Sequence, residues 1–272
     1  MATLSLTTWV FDPSIIVTLV AMVAAYLVGL WRFRPVSLWN EHHVATREII
    51  FFSSGMFLLF IALVSPIDYL SDSMFSVHMI QHMLIVYFAP PLLLLGIPAW
   101  FWTPILGIRY VKPVVRFVTG AIPAIVIFNA ILIVWHFPML WQFALVSPRI
   151  HALEHASFLV AGIIAWWPIY NTTIELPRIS YPAQLLYIFA QSLVPAIIGS
   201  FITFSTIVIY PIYAETPKLW GLTPLVDQQI AGLSMKLLGT IFLWILLTVR
   251  FFQWFNYEEH EKEKLIDDRR LP

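Results

Sequence analysis

The chain has 272 residues, of which 60% are hydrophobic and only 11% are charged, and its formal net charge is zero. Soluble domains are about 45–50% apolar and about 25% charged, so this composition excludes an ordinary soluble domain and indicates an integral membrane protein. The absence of cysteine excludes disulfides and thiolate metal sites, and the neutral charge balance gives no basis for nucleic-acid binding.

Seven stretches are long and apolar enough to cross a bilayer, which takes about 20 mostly apolar residues in a helix. They cover residues 14–31, 48–64, 75–97, 120–135, 153–170, 183–210 and 228–252. Pro90 and Pro91 predict a kink in the third helix. Because the connections are short, we predict a single all-α domain over residues 1–272, a seven-transmembrane-helix bundle that ends in a charged tail at 255–272.

Lysine and arginine are divided unequally between the two sets of alternate connections. One side carries Arg32, Arg34, Arg47, Arg109, Lys112, Arg116, Arg178, Arg250, Lys262, Lys264, Arg269 and Arg270. The other side carries only Arg149 and Lys218, while Lys236 lies inside the seventh helix, where Asp227 or a tail carboxylate could pair with it. Because positive residues in short loops stay in the cytoplasm, we predict the N-terminus outside and the C-terminal tail in the cytoplasm.

Five of the eight histidines fall at the predicted outer ends of helices or in outer loops. His78 and His82 are four residues apart in the third helix, and His151 and His155 have the same spacing where the fifth helix begins. A spacing of four places both imidazoles of a pair on one helix face. Histidine near a membrane span is costly unless it is paired, liganded or hydrated, so we predict that the two pairs share one metal site.

Five further side chains at the same predicted depth are second-choice ligands. They are Met79 and Met83 beside the first pair, Asp227 and Met235 on one face of the seventh helix, and His136 at the end of the fourth. Each has a structural alternative. A single histidine at a helix end commonly packs at the interface, methionine commonly fills gaps between helices, and Asp227 could cap the seventh helix.

The available ligands limit the choice of metal. Without cysteine, a mixed histidine and methionine site with one carboxylate favours copper, although zinc remains open with histidine and carboxylate alone. The string His151-Ala-Leu-Glu154-His155 also matches the H-x-x-E-H pattern of inverted zinc peptidases, but three fixed positions are a weak signal. Haem is a third alternative, because histidines of two helices can ligate one iron, but one histidine of each pair would be left over.

Several motifs follow one another between residues 68 and 235. They are His78-Met-Ile-Gln-His-Met83, Pro138-Met-Leu-Trp141, His151-Ala-Leu-Glu-His-Ala-Ser-Phe158, Trp166-Trp167-Pro168, and Asp227-Gln-Gln-Ile-Ala-Gly232 followed by Met235. Together they resemble the multi-helix CtaG-type cytochrome c oxidase assembly factors of Gram-positive and related bacteria, and not the single-span copper protein that shares that name. No single motif would be specific, but their combination and order are.

The resemblance implies a seven-helix protein of the bacterial cytoplasmic membrane that helps to mature a haem-copper oxidase in a non-enzymatic role. Copper is then the expected metal, and the expected partners are oxidase subunits, a soluble copper carrier and membrane lipid. Two other functions stay open: a haem-binding or quinone-reactive membrane cytochrome, and a metal-free accessory subunit of a respiratory complex. The ligand role of each histidine rests on spacing and topology and not on the resemblance.

Overall fold

The structure is a computed structural model that describes residues 5–33 and 44–268, with side chains as far as residue 263. Part of the predicted first inner loop, with Arg34, His42 and His43, lies outside the described residues, as do Arg269 and Arg270 in the tail. The described residues form helices and connecting segments without any strand, which confirms the all-α prediction.

The α-helices of the described residues are α1 (Pro13–Arg32), α2 (Thr46–Val64), α3 (Pro66–Ser71), α4 (Phe75–Gly96), α5 (Ala99–Leu106), α6 (Val111–Val118), α7 (Ala121–Trp135), α8 (Pro138–Val146), α9 (Pro148–Tyr170), α10 (Tyr181–Phe204) and α11 (Pro224–Asp268). Six of them are long and apolar enough to cross a membrane: α1, α2, α4, α9, α10 and α11. A seventh candidate span is the pair α6 and α7, which is bent by 72° at its break. The predicted multi-pass helical architecture is therefore present, with six or seven candidate spans.

At the position of the predicted kink, α4 contains a π-helical turn over Leu84–Phe88, just before Pro90 and Pro91. A proline has no N–H, so Pro90 cannot donate to the carbonyl of Val86 four residues earlier. The indole Nε1 of Trp166 in α9 donates to that carbonyl instead, at 2.9 Å. A hydrogen bond between helices thus replaces the one that the proline removes from α4.

Glycine brings α9 close to α4 at the same level. A Cβ on Gly162 would lie 2.8 Å from the Cγ of Pro90 and 3.0 Å from the carbonyl oxygen of Val86, so any larger residue would push the two helices apart. Together with the Trp166 hydrogen bond, this contact sets the distance and rotation of the two helices that carry the histidine pairs.

The start of α9 differs from the prediction and changes the position of His151. The sequence predicts a helix from residue 153, but α9 begins at Pro148 after Ser147, whose backbone is extended (φ −117°, ψ 109°). Proline fits the first turn of a helix, because its missing N–H would have no partner there. His151 is therefore inside α9, on the same face as Glu154 and His155.

The end of α10 also differs from the prediction. The predicted sixth helix continues to residue 210, whereas α10 ends at Phe204. Beyond it, the amide of Gln228 accepts from the Ile209 N–H at 2.7 Å and donates to the Ile207 carbonyl at 3.0 Å, and Gln229 donates to the Ser205 carbonyl at 3.1 Å. These side chains of α11 satisfy the backbone that would otherwise continue the helix. In contrast, α11 continues past the predicted end of the span at residue 252, so the start of the charged tail is helical.

Candidate metal centre

The two predicted histidine pairs lie side by side in the bundle, near the ends at which α4 and α9 begin. Within α4, the Nε2 atoms of His78 and His82 are 2.8 Å apart. Across to α9, the ring centroids are 5.3 Å apart for His78 and His151, and 5.2 Å apart for His82 and His155. The structure thus brings together the four leading candidates from two different helices.

A buried carboxylate joins these imidazoles. One ligand atom from each of His78, His82 and His155 lies within 4.8 Å of the others, and the same holds for His78, His151 and Glu154. Glu154 Oε1 is also 3.8 Å from His82 Nε2. Because His78 belongs to both groups, we treat the five residues as one site, the histidine cluster.

Several polar atoms of the histidine cluster are buried and have no hydrogen-bond partner among the described residues. They are His82 Nδ1, His151 Nε2, Glu154 Oε1 and His155 Nε2. His78 and Glu154 are 0% and 1% exposed. A buried polar atom without a partner costs about 1–3 kcal/mol, and most buried polar groups in proteins are paired. A bound cation would satisfy unpaired atoms in a cluster of imidazoles and a carboxylate whose ligand atoms lie within 4.8 Å of one another in each candidate group.

The spacing of the first pair fits an ion after a small adjustment. Two nitrogens that each lie about 2.0–2.1 Å from a tetrahedral ion are roughly 3.3 Å apart. The Nε2 atoms of His78 and His82 are 2.8 Å apart, where one of them donates a proton to the other. A metal would replace that shared proton and move the two rings apart by about half an ångström.

Tyr213 holds the far side of the His78 ring. Its hydroxyl lies 2.9 Å from His78 Nδ1 and 3.4 Å from the Ser71 carbonyl oxygen. Burial raises the pKa of Tyr213 well above its ordinary value, so the phenol stays neutral and can donate or accept. Lys218 Nζ donates to the Tyr213 carbonyl at 2.6 Å and holds this segment in place. Such an outer partner orients a metal-binding imidazole and selects its tautomer.

Aromatic rings enclose the histidine cluster. The ring of Trp141 lies 4.8 Å from that of His78 and 5.6 Å from that of His82, and Phe158 lies 4.7 Å from His82. His151 is the one member of the cluster that is only partly buried. A metal ion would therefore reach the cluster past His151.

His136 lies near the cluster but belongs to neither candidate group. Its Nδ1 is 2.7 Å from the Leu132 carbonyl oxygen, and its ring centroid is 5.4 Å from that of Trp141. Burial lowers the pKa of His136 to about 4, so the ring is neutral near pH 7 and its Nδ1 donates to the carbonyl. The buried Nε2 of His136 has no hydrogen-bond partner among the described residues, so His136 stays a second-choice ligand beside the cluster.

Asp227 is engaged elsewhere. Its carboxylate accepts from the backbone N–H of Phe75 at 2.8 Å and from the N–H of Ser76 at 3.2 Å, and it also accepts from the Ser76 hydroxyl. The side chain is completely buried, and it satisfies the first free N–H groups of α4. The sequence suggested a cap on the seventh helix as the alternative to a ligand, but Asp227 caps the third span from across the bundle. This placement disfavours a ligand role.

The predicted methionine ligands lie in the apolar core. Met79, Met83 and Met235 are all buried there, and the Met83 methyl group packs against Gly239 of α11. The ammonium of Lys236 lies 5.3 Å from the centre of the Phe204 ring and not beside Asp227. The side chains that lie within ligand distance of one another in the two candidate groups are imidazoles and the Glu154 carboxylate.

Two residues of the site have no counterpart among the predicted ligands. Glu154 appeared only in the zinc-peptidase string, although its spacing from His151 and His155 places all three on one helix face once α9 begins at Pro148. Tyr213 has no local signal, because its contact with His78 joins positions 135 residues apart in the chain.

Comparison with known proteins matched a family model described as cytochrome c oxidase caa3 assembly factor (Caa3_CtaG) to residues 24–257. Two uncharacterized proteins, from Mycobacterium bovis and Mycobacterium tuberculosis, are each 26% identical over 243 residues, which cover 84% of this chain. The alignment covers only 36% of each mycobacterial protein. No solved structure matches the chain. The matched family region contains the whole histidine cluster.

Proposed function

Because this chain belongs to the cytochrome c oxidase caa3 assembly factor family, we propose that it is a non-enzymatic assembly factor that binds copper and delivers it to an oxidase subunit, directly or through a soluble carrier. The observation that carries the copper site is the convergence of four imidazoles and one carboxylate, from two helices, with unpaired buried atoms. The family itself supports only the role in oxidase assembly, so copper binding is the part that needs testing.

The donor set supports copper over other metals. Imidazole nitrogen suits copper and zinc, and for a given set of nitrogen and oxygen donors Cu²⁺ binds more tightly than Zn²⁺. This argument does not depend on the predicted methionine ligands Met79, Met83 and Met235, which are part of the apolar core. We therefore propose Cu²⁺ at the histidine cluster, with zinc as the competitor that a titration must include.

The alternatives fit the geometry less well. The ring centroids of neighbouring cluster histidines lie between 4.3 and 6.0 Å apart, which leaves no room for a porphyrin between them. A catalytic zinc needs an open coordination position for water and substrate. Glu154 is 1% exposed, and Tyr213 and Trp141 cover His78, so a peptide substrate could not reach the carboxylate.

We propose that the histidine cluster faces the outside of the cytoplasmic membrane. The charge bias supports this, because the connections at the opposite end of the bundle carry most of the lysine and arginine. A reporter that works only outside the cytoplasm should be active when inserted within residues 214–221 and inactive when fused after Pro272. The reverse pattern would place the site on the cytoplasmic side of the membrane. Copper from outside the cytoplasm could then not be the source that the proposal requires.

Copper binding should be measurable on the purified protein. We expect about one Cu²⁺ per chain, with tighter binding than Zn²⁺, and a loss of affinity as the pH falls from about 7 to about 4. The reason is that an imidazole must be neutral to bind a metal. Free imidazole protonates near pH 6.5, and a buried site of low dielectric constant moves this protonation to lower pH. Competitive titration with a coloured chelator at several pH values provides the measurement. Flat affinity from about pH 7 down to about pH 4 would argue against imidazole ligands.

A further inference from the structure

The end of the bundle opposite the histidine cluster holds arginines without carboxylate partners. Arg250 of α11 is only 7% exposed, and its buried Nε has no hydrogen-bond partner among the described residues. Arg178 lies in the connection between α9 and α10, where its Nε donates to the Asn171 carbonyl at 2.7 Å. Within the part of the chain that the structure describes, neither guanidinium forms an ion pair with a carboxylate.

These two arginines lie close enough to repel each other. Partial desolvation, followed by repulsion from Arg250 and more weakly from Arg47, lowers the pKa of Arg178. The neighbours that compensate Arg250 are neutral: its guanidinium carbon lies 4.8 Å from the centre of the Tyr170 ring, and its Nη1 donates to Gln253 at 2.9 Å. A buried charge is normally paired with an opposite charge, and here that partner is missing from the described side chains.

The start of α10 adds a further positive group to this corner. Tyr181, its first residue, is close enough to Arg178 to interact with it electrostatically. No side chain caps this helix of 24 residues, because Ser180 makes no hydrogen bond to its first turn. The free N–H groups and the helix dipole at such a terminus attract an anion. Two guanidinium groups and a helix N-terminus thus meet in one place.

We infer that this corner, formed by Arg178, Arg250 and the start of α10, binds the phosphate group of an anionic phospholipid. Guanidinium groups pair with phosphate through two parallel hydrogen bonds, and an exposed Arg178 beside a buried Arg250 leaves the phosphate accessible from the membrane surface. Basic pockets between helices on the cytoplasmic side are where anionic headgroups bind. The inference does not depend on copper binding.

The surface beside the corner favours a lipid over free phosphate. A groove along α11 is lined by Thr240, Thr248 and four apolar residues, Ile241, Trp244, Ile245 and Val249, and it reaches the level of Arg250 along the helix. The four apolar side chains are exposed in the structure, so an acyl chain could follow the groove while its headgroup meets the arginines.

Native mass spectrometry of delipidated protein in detergent tests the site. The probes are short-chain phosphatidylglycerol, phosphatidylcholine with the same chains, and inorganic phosphate. We expect phosphatidylglycerol to bind at least about tenfold more tightly than the other two, and Arg178→Gln or Arg250→Gln to weaken its binding about fivefold or more each. The matched control is Arg116→Gln, an exposed arginine on the same predicted side but outside the corner, which should leave binding unchanged.

Three results would overturn the inference. Equal binding of phosphatidylcholine would show that the site does not select a lipid with a net negative charge. Equal binding of inorganic phosphate would show that lipid is not the ligand. An equal loss in the Arg116→Gln variant would show a diffuse effect of surface charge. If Arg250→Gln fails to fold, Arg178→Gln decides the outcome, because its side chain is exposed and its replacement leaves no cavity.

Discussion

Replacing His78 and His155 by alanine, singly or together, should abolish high-affinity copper binding. His78 belongs to α4 and His155 to α9, and both lie in one candidate ligand group with His82. Loss of a direct ligand should cost at least about 100-fold in affinity, above the 10–100-fold that outer-shell partners typically contribute. The double variant should bind copper little worse than either single variant, because residues that act as one unit have non-additive effects. Competitive copper titration measures all three.

Folding has to be separated from ligation in these variants, since both imidazoles are buried. Truncation to alanine leaves a cavity, whereas His78→Gln and His155→Gln fill most of the volume with an amide that is a poorer copper ligand than imidazole. The control is His260→Ala, an exposed histidine in the helical tail, which should bind copper like the original protein. Thermal unfolding without metal shows whether each variant is folded.

The same variants should affect the oxidase in cells. Cells with His78→Ala and His155→Ala should insert the protein normally but make an oxidase that lacks copper, with partial rescue by excess copper in the medium. Metal and haem analysis of the purified oxidase measures this. Full oxidase activity in the double variant would contradict the copper proposal and leave a metal-free role in assembly. An oxidase that lacks haem but contains copper would point to haem handling instead.

Glu154→Gln should reduce copper affinity about 10–100-fold while the fold is retained. The amide has the same shape as the carboxylate but no charge, so the variant removes the negative group near His78, His82 and His151 without leaving a cavity. The metal-free variant should unfold at the same temperature as the original protein or higher, because a neutral amide costs less to bury than an ionisable carboxyl group. Thermal unfolding with and without Cu²⁺ measures both effects.

Asp227→Asn provides the matched contrast to Glu154→Gln. Asp227 also carries a buried carboxylate, but its oxygens accept from the first residues of α4. The amide should therefore lower thermal stability without metal, because one N–H of α4 would face an NH₂ group, whereas copper affinity of the folded protein should change little. A large loss of copper affinity in Asp227→Asn, with none in Glu154→Gln, would contradict these assignments. It would show that Asp227 binds copper and that Glu154 does not.

Much of the fold was predictable because it depends on local composition and periodicity. Apolar stretches of the right length predicted the membrane helices, and the boundaries of α1, α2 and α4 agree with the structure within two residues. The end of α10 was not predictable, since Phe204 is followed by backbone that hydrogen-bonds to Gln228 and Gln229 of the next helix. A helix end decided by side chains from another helix leaves no signal in its own residues.

The sequence by itself determined the class of protein and the histidine pairs, because hydrophobicity sets membrane insertion and a spacing of four residues sets a common helix face. Only the tertiary structure decided which other side chains meet those pairs. The contacts of α9 with α4 at Gly162 and Trp166 fix how the two helices are rotated, and this rotation turns Glu154 toward the imidazoles. Contacts between positions more than a hundred residues apart in the chain place the Asp227 side chain at the start of α4 and the Tyr213 hydroxyl beside His78. Helical periodicity specifies which residues share a face, but packing between helices specifies what that face touches.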